Sequence, residues 1–319
     1  MRTSLLITVA VVLSFISCSQ EEEMLTNFFQ GRDRTSPVFL EVKTVETDEI
    51  VLYFNENVAK ADLTVLSDEK GGSATVFENQ AIVHLSEDLQ PMEAVALQLS
   101  VQDSAGNSTT IETVAYGKNF DVPDLILNEF TTKGSRTNPD RVEIRILSDG
   151  NMAGVTFYNG MYHHHEFSYI FESIDVSRGQ YLVIQFQTEP EEDDPFTFYG
   201  GEEGLGSNNG VLSIYRSPQN EIVDAVVYSN RSDDSDVEYG GFGTKKVYDM
   251  VSELAESRLW IPANPITPET AVRSENSTAT RSLNRKEDGH DSNTSADWYV
   301  VATRESTFGE PNSQVLYSP

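Results

Sequence analysis

Apolar and polar residues alternate along short runs in the first third of the chain. The clearest run places Val95, Leu97, Leu99 and Val101 at every second position before Asp103. Successive side chains of an extended strand point to opposite faces, so this period predicts a strand with one buried face. Two shorter runs share the period, with Ile50, Leu52 and Phe54 in one and Ala81, Val83 and Leu85 in the other. Such strands, bounded by turn residues, predict a small antiparallel β-sandwich.

The same kind of pattern resumes after a short break. Residues 119–123 contain a proline and few packing residues, which predicts a linker. Beyond it, Val142, Ile144 and Ile146 alternate with charged residues, and apolar runs at 181–186 and 222–228 follow turns. We therefore predict an all-β protein with two Ig-like β-sandwich domains in tandem.

One segment has a helical period instead. Its apolar residues fall at i, i+3, i+4 and i+7, namely Val247, Met250, Val251 and Leu254. Thr244 precedes them as a candidate N-cap, and Pro262 would stop the helix from continuing. The pattern predicts a short helix inserted in the second sandwich, packed beside its sheet rather than free to bind a partner.

The N-terminal segment has the pattern of a secretory signal. Arg2 gives a positive start, and residues 5–16 are apolar except for two hydroxyl side chains. This run is too short to span a bilayer stably, and charges begin again at Glu21. We predict a signal peptide over residues 1–17 that ends at Cys18, the only cysteine in the chain.

Residues 15–18, Phe-Ile-Ser-Cys, resemble the lipobox of bacterial lipoproteins, although leucine is usual where this chain has Phe15. The resemblance implies lipidation of Cys18 and membrane attachment through its acyl chains, which hold firmly when there are several. Residues 18–35 would then be an acidic tether. Its Glu21–Glu23 run is similar to a surface-export signal, which implies an outer-membrane, cell-surface location. The alternative is an ordinary signal peptide in which Cys18 is incidental.

The charge balance narrows the possible partners. The formal net charge is −29. So acidic a chain repels phosphate backbones and anionic lipid headgroups, which argues against nucleic acid as a partner and leaves lipidation as the membrane attachment. A single cysteine permits neither an intrachain disulfide nor a thiolate metal site.

Residues 36–118 carry a first domain resemblance. Phe54-Asn55-Glu56-Asn57-Val58, Leu89-Gln90-Pro91 and Asp103-Ser104-Ala105-Gly106-Asn107 are similar to the Ig-like modules of bacterial surface proteins. The resemblance implies a spacer or an adhesive stalk, and none of these residues has the pattern of a catalytic site.

Residues 124–314 resemble the lamin-tail domain, an Ig-like sandwich that is widespread in exported bacterial proteins. The resemblance rests on six short segments that occur in the same order as in the family. They are Asn128-Glu129, Val142-Glu143, residues 179–184, residues 209–215 with Ile222-Val223-Asp224, Arg281-Ser282-Leu283-Asn284-Arg285 with Asp297-Trp298, and residues 307–312. Two of them depart from the pattern, because Arg178 and Phe308 stand where the family usually has proline. The resemblance implies a binding or positioning module without its own catalytic centre.

Two groups of side chains are candidate metal ligands. His163 and His165 would share one face of a strand, and imidazole suits zinc, copper or nickel. Asp233, Asp234 and Asp236 offer carboxylates of the kind that calcium prefers, without the spacing of an EF-hand. We favour a solvated loop or weak adventitious binding for the histidines and a charged loop for the aspartates, so we assign no metal site and expect no cofactor.

Catalytic signatures are missing from the sequence. It has no Gly-x-Ser-x-Gly elbow, and its one thiol is assigned to lipidation. Trp260, Trp298 and many tyrosines offer aromatic surface to a sugar, but aromatic residues of a sandwich usually form its core.

Two function classes remain. The first, which we favour, is a non-catalytic, lipid-anchored binding, adhesion or envelope-structural protein with a protein or glycan ligand. The second is an accessory protein that positions a hydrolase or nuclease, because bacterial lamin-tail-like domains often accompany such enzymes.

Overall fold

The computed structural model describes residues 33–67, 70–191, 194–217, 220–230, 238–261, 265–286 and 291–319. These residues form two compact units, one that ends at Lys118 and one that spans Asn119–Pro319. Both are built from β-sheets, and the predicted class of tandem β-sandwiches with one inserted helix is confirmed. No helix in the described ranges is long and apolar enough to cross a bilayer.

The first unit has a four-stranded sheet in the order β1-β2-β5-β4 and a three-stranded sheet in the order β3-β6-β7. All neighbours within these two sheets are antiparallel. The strands are β1 (Phe39–Thr44), β2 (Glu49–Phe54), β3 (Lys60–Val65), β4 (Gly72–Phe77), β5 (Gln80–Leu85), β6 (Ala94–Gln102) and β7 (Ser108–Tyr116).

The core of the first unit is made by the residues that alternate in the sequence. On β6 the four predicted inward residues are buried, and their polar neighbours are half-buried. The inward residues of β2 and β5 are buried in the same core, which confirms the period-two interpretation. Strand β2 differs in one respect, because Val51 on its other face is also buried.

The second unit has a five-stranded sheet in the order β12-β11-β16-β17-β18 and a six-stranded sheet in the order β15-β14-β9-β8-β19-β20, with a two-stranded β10-β13 ribbon. The strands are β8 (Leu125–Thr131), β9 (Arg141–Ile146), β10 (Gly150–Asn151), β11 (Thr156–Met161), β12 (His164–Ile170), β13 (Asp175–Val176), β14 (Tyr181–Gln185), β15 (Thr197–Tyr199), β16 (Asn209–Ser217), β17 (Asn220–Ser229), β18 (Val272–Arg273), β19 (Leu283–Arg285) and β20 (Trp298–Val300).

A β-bulge changes the face of β8 part-way along the strand. The register against β9 shifts between Leu127 and Glu129, so Leu127 and Phe130 both lie in the core although they are three positions apart. The bulge also places Glu129 directly opposite Glu143 of β9. Bulges re-aim side chains in this way without ending the strand pairing.

The predicted helix is confirmed as α1 (Lys245–Glu256). Thr244 caps it, because the side chain of Thr244 accepts a hydrogen bond from the Val247 amide. Met250, Val251 and Leu254 are buried in the core of the second unit, which is the packed position expected from their spacing.

The segment after Lys118 is bonded into the second unit. The Asn119 side-chain amide donates to the carbonyls of Asn151, at 2.6 Å, and Ala153, at 3.0 Å. The Asn151 amide in turn donates to the carbonyl of Asp121. These bonds anchor residues 119–121 against the β10 region.

The core of the first unit gives a direct stability test. Replacing Leu97 by alanine leaves a cavity between the sheets, so we expect a loss of about 2–5 kcal/mol in the free energy of unfolding. Val114→Ala on the neighbouring β7 is the control, because this valine is 43% exposed and should change stability by about 0.5 kcal/mol or less. Urea denaturation followed by circular dichroism measures both; equal losses would contradict the assigned burial.

Candidate functional site

The sequence-predicted candidates fall in two parts of the chain. Cys18, Asp233, Asp234 and Asp236 lie outside the described residues. His163 lies in the turn between β11 and β12 and His165 lies on β12 of the same hairpin, so the two do not share a strand as the sequence predicted.

His163 and His165 are both exposed at this hairpin. The Nδ1 of His165 lies 3.0 Å from the carbonyl oxygen of Tyr162, and the His163 ring packs on the Tyr162 ring with centroids 4.5 Å apart. Neither histidine belongs to a group of three ligand-bearing side chains among the described residues. The hairpin therefore gives each imidazole a local partner, and among the described residues it adds no third ligand to make a metal site.

The aromatic rings below this hairpin form a ridge. Tyr158 packs against His165, with centroids 4.8 Å apart, and edge-on against Tyr215 at 5.2 Å. Burial, followed by the neighbouring tyrosines, raises the pKa of Tyr158 to about 12. The phenol therefore stays protonated at neutral pH and acts as a packing group.

Three carboxylates meet in the first unit, at a place that sequence reasoning missed. One ligand oxygen each from Asp33, Glu56 and Asp103 lies within 4.8 Å of the others. Burial, and then the charges of the two aspartates, raise the pKa of Glu56. The cluster offers three of the six to eight oxygens that calcium takes. Glu56 lies in the turn after β2, and Asp103 lies in the turn after β6. The sequence could have indicated that these two turns lie at the same end of the sandwich, which would bring the two carboxylates together.

Two carboxylates of the second unit are buried beneath the segment 307–312. Glu129 accepts hydrogen bonds from the Ser282 hydroxyl and from the amide and hydroxyl of Thr307. Burial raises the pKa of Glu129, and these donors oppose the rise. Its carboxylate is thus engaged in holding the C-terminal segment against β8.

Glu143 holds the next part of the same segment. It accepts from the Gly309 amide at 2.5 Å and from the Asn128 side chain at 2.6 Å. Burial raises the pKa of Glu143 to about 8, and the adjacent Glu129 adds to the rise. Asn312 exchanges hydrogen bonds with Asn128, which closes the segment over both acids.

A buried ion pair joins the two large sheets of this unit. The Nη2 of Arg285 on β19 lies 2.7 Å from Oδ2 of Asp224 on β17, and both side chains are almost fully buried. The Arg285 Nε donates to the Leu127 carbonyl, and the Leu127 amide donates to Asp224. The ring of Trp298 covers the guanidinium at 4.8 Å. The pair therefore also bonds both backbone groups of Leu127, while the second oxygen of Asp224, Oδ1, is buried without a hydrogen-bond partner.

A cavity of about 570 Å³ opens beside the segment 307–312, and its walls include Arg141 from β9, Tyr181 and Gln185 from β14, and Phe308. The Nε of Arg141 donates to Gln185 at 2.9 Å, and its guanidinium lies 5.4 Å from the centre of the Phe308 ring. The volume of the cavity is typical of a small-ligand site.

Sequence reasoning did not find this cavity. Its residues come from three strands and three loops, and none forms a local motif. The departure from the family pattern at Phe308 was the one signal, because that ring lies on the wall of the cavity. Trp260 and Trp298 are buried in the core, so they offer no platform to a sugar.

Fold and site together define a tandem β-sandwich protein with a side-chain-lined cavity in its second unit. A family model described as "protein second domain" matches residues 123–195 and 199–300, all within that unit. The match covers more than half of the chain, and the chain belongs to this family. No curated protein matches the chain.

The buried acids predict a pH dependence of stability. With its pKa raised from 4.5 to about 8, Glu143 keeps a proton in the folded state that the unfolded chain releases between these pH values. Stability of the second unit should therefore fall as pH rises through that window, by up to about 1.4 kcal/mol per pH unit. Glu143→Gln should flatten the slope.

Urea denaturation followed by tryptophan fluorescence measures this slope, because both tryptophans are buried in the second unit. Glu203→Gln is the control, since Glu203 is an exposed carboxylate of the same unit. An unchanged slope in the Glu143 variant would contradict the assignment.

The Asp224–Arg285 pair predicts a large loss on truncation. Arg285→Met leaves Asp224 buried without its counter-ion, so we expect a loss of about 3–5 kcal/mol in the free energy of unfolding. Adding Asp224→Asn removes the uncompensated charge and should recover part of the loss. Exposed Arg178→Met should change little. Denaturation followed by tryptophan fluorescence measures these losses. A loss below about 1 kcal/mol for Arg285→Met would contradict the stabilising role of the ion pair.

Proposed function

We propose that this protein is a lipid-anchored envelope lipoprotein of a bacterial outer membrane, and that its two sandwiches are non-catalytic and present a ligand-binding site at the cell surface. Cys18 is the attachment residue. The first sandwich is the spacer, and the second is a lamin-tail-like module that carries the site.

The proposed non-catalytic role rests on one observation: the buried carboxylates of the second unit hold loops in place. Glu129 and Glu143 both receive backbone amides of the segment 307–309, and neither side chain is open to solvent. Asp140 is likewise closed, because it accepts from the amides of Gly134 and Leu205. A general acid or base must reach a substrate proton. These acids instead hold loops in place.

The lamin-tail assignment draws support from the same network. Residues from segments that are widely spaced in the sequence join one set of hydrogen bonds and ion pairs in the folded unit. They are Glu129, Glu143, Asp224, Arg285 and Asn312. One buried network explains why these residue types occur together, with no need for a catalytic role.

Protease shaving of intact cells tests the anchor and the exposure together. Wild-type protein should fractionate with membranes and be degraded by external protease. Cys18→Ala should appear in the soluble fraction, because no acyl chain holds it.

Ser19→Ala is the matched control, since it alters the neighbouring residue and keeps the thiol. A periplasmic marker must stay intact during shaving. Membrane retention of Cys18→Ala would overturn the anchor, and protease resistance of the wild type would overturn surface exposure. Hydrolytic turnover that a Glu or His substitution abolishes would overturn the non-catalytic role.

A further inference from the structure

The second unit contains a cation that the folded network does not pair. Arg141 is partly buried, and among the residues that the structure describes no carboxylate lies within ion-pair distance of its guanidinium. Burial lowers the pKa of Arg141, while the more distant charges of Glu129 and Asp194 raise it. In a chain with a net charge of −29, acidic partners are abundant, so an arginine held without one is unusual.

Arg141 is held in a fixed orientation. Its Nε donates to Oε1 of Gln185, and the Gln185 Nε2 donates to the Thr188 carbonyl at 3.0 Å. The Thr188 hydroxyl donates to the Arg136 carbonyl at 3.2 Å, which ties the loop before β9 to the loop after β14. With Nε engaged, the Nη groups of Arg141, a residue of the cavity wall, have no hydrogen-bond partner among the described residues. A pre-organised guanidinium fork binds a carboxylate with two parallel hydrogen bonds.

The other walls fit hydroxyl groups and a ring. Glu189 and Glu191 line the cavity with acceptor oxygens, whereas the oxygens of Asp194 already accept from Phe196 and Thr197. Aromatic surface on the wall comes from Tyr181, Phe196 and Phe308. Acceptors next to a guanidinium would repel a ligand that is anionic throughout. They suit a ligand with one carboxylate and several hydroxyl donors.

A peptide C-terminus fits less well. Proteins capture a terminal carboxylate with free backbone amides, and the amide of Gly309 on the cavity wall already donates to Glu143. The charged and polar side chains of the wall, rather than this amide, have to make the recognition.

We propose that this cavity binds a carboxylate-bearing sugar unit, such as a uronic acid residue of a glycan, with its carboxylate on Arg141 and its ring against Phe308. This names the ligand class of the binding site and so rests on the proposed function. Arg136, an exposed residue of the cavity wall, adds a second positive charge to the lining.

Ligand-observed NMR on the purified full chain tests the proposal with three probes: methyl glucuronide, its methyl ester, and methyl glucoside. The uronate should bind, while the ester and the neutral sugar should bind roughly 10- to 100-fold more weakly, because they lack the charged acceptor. Arg141→Ala should weaken uronate binding by the same factor, and Arg178→Ala, away from the cavity, should leave it unchanged.

Tryptophan fluorescence confirms that each variant is folded. If Arg141→Ala does not fold, Arg136→Ala and the ester comparison decide, since an exposed side chain can be removed without disturbing the core. Equal binding of all three probes, no uronate binding, or preferential binding of an N-acetylated dipeptide would each overturn the ligand class. Protease shaving is independent of these probes, so a negative result here leaves the anchored, non-catalytic role to be judged separately.

Discussion

The second unit depends on the charge pair that Asp224 and Arg285 form between its two sheets. Either side chain without the other would be an uncompensated charge in the packed interior, at a cost of several kcal/mol. Together they compensate each other and also bond the amide and carbonyl of Leu127. The guanidinium further contacts Asp291 and the ring of Trp298. One side chain thus links β8, β17, β19 and the start of β20, which fixes how the sheets face each other.

A second constraint follows from the bulge in β8. It places Glu129 opposite Glu143 on the outer face of the six-stranded sheet, where two like charges side by side would be unfavourable. The segment 307–312 covers them with amides and hydroxyls that compensate part of this cost. The same segment supplies Phe308 to the cavity wall. The packing of the sheet therefore determines where the ligand site can form.

The sequence predicted those elements whose position depends on the local spacing of apolar residues. The period of two located β2, β5 and β6, and the helical period together with Thr244 located α1, because side-chain direction in these elements follows directly from residue spacing. It failed where partners are distant. The sequence did not indicate the backbone and side-chain bonds between Asn151 and residues 119–121. Asp33, Glu56 and Asp103 meet only once the sandwich is closed, and Arg141 gains its meaning from Gln185 and Phe308, which no local motif connects to it.

The hydrogen bond from the Thr307 amide to Glu129 joins residues that are 178 positions apart in the sequence. Contacts this distant form late, because a long loop has to close before they contribute. Until then both acids are exposed to water and ionised at neutral pH. Arrival of the segment removes that water, and Glu143, whose pKa burial raises to about 8, takes up a proton as the second unit is completed. Folding of this unit is in that sense a proton-consuming reaction, and its final step is sensitive to the pH at which the chain folds.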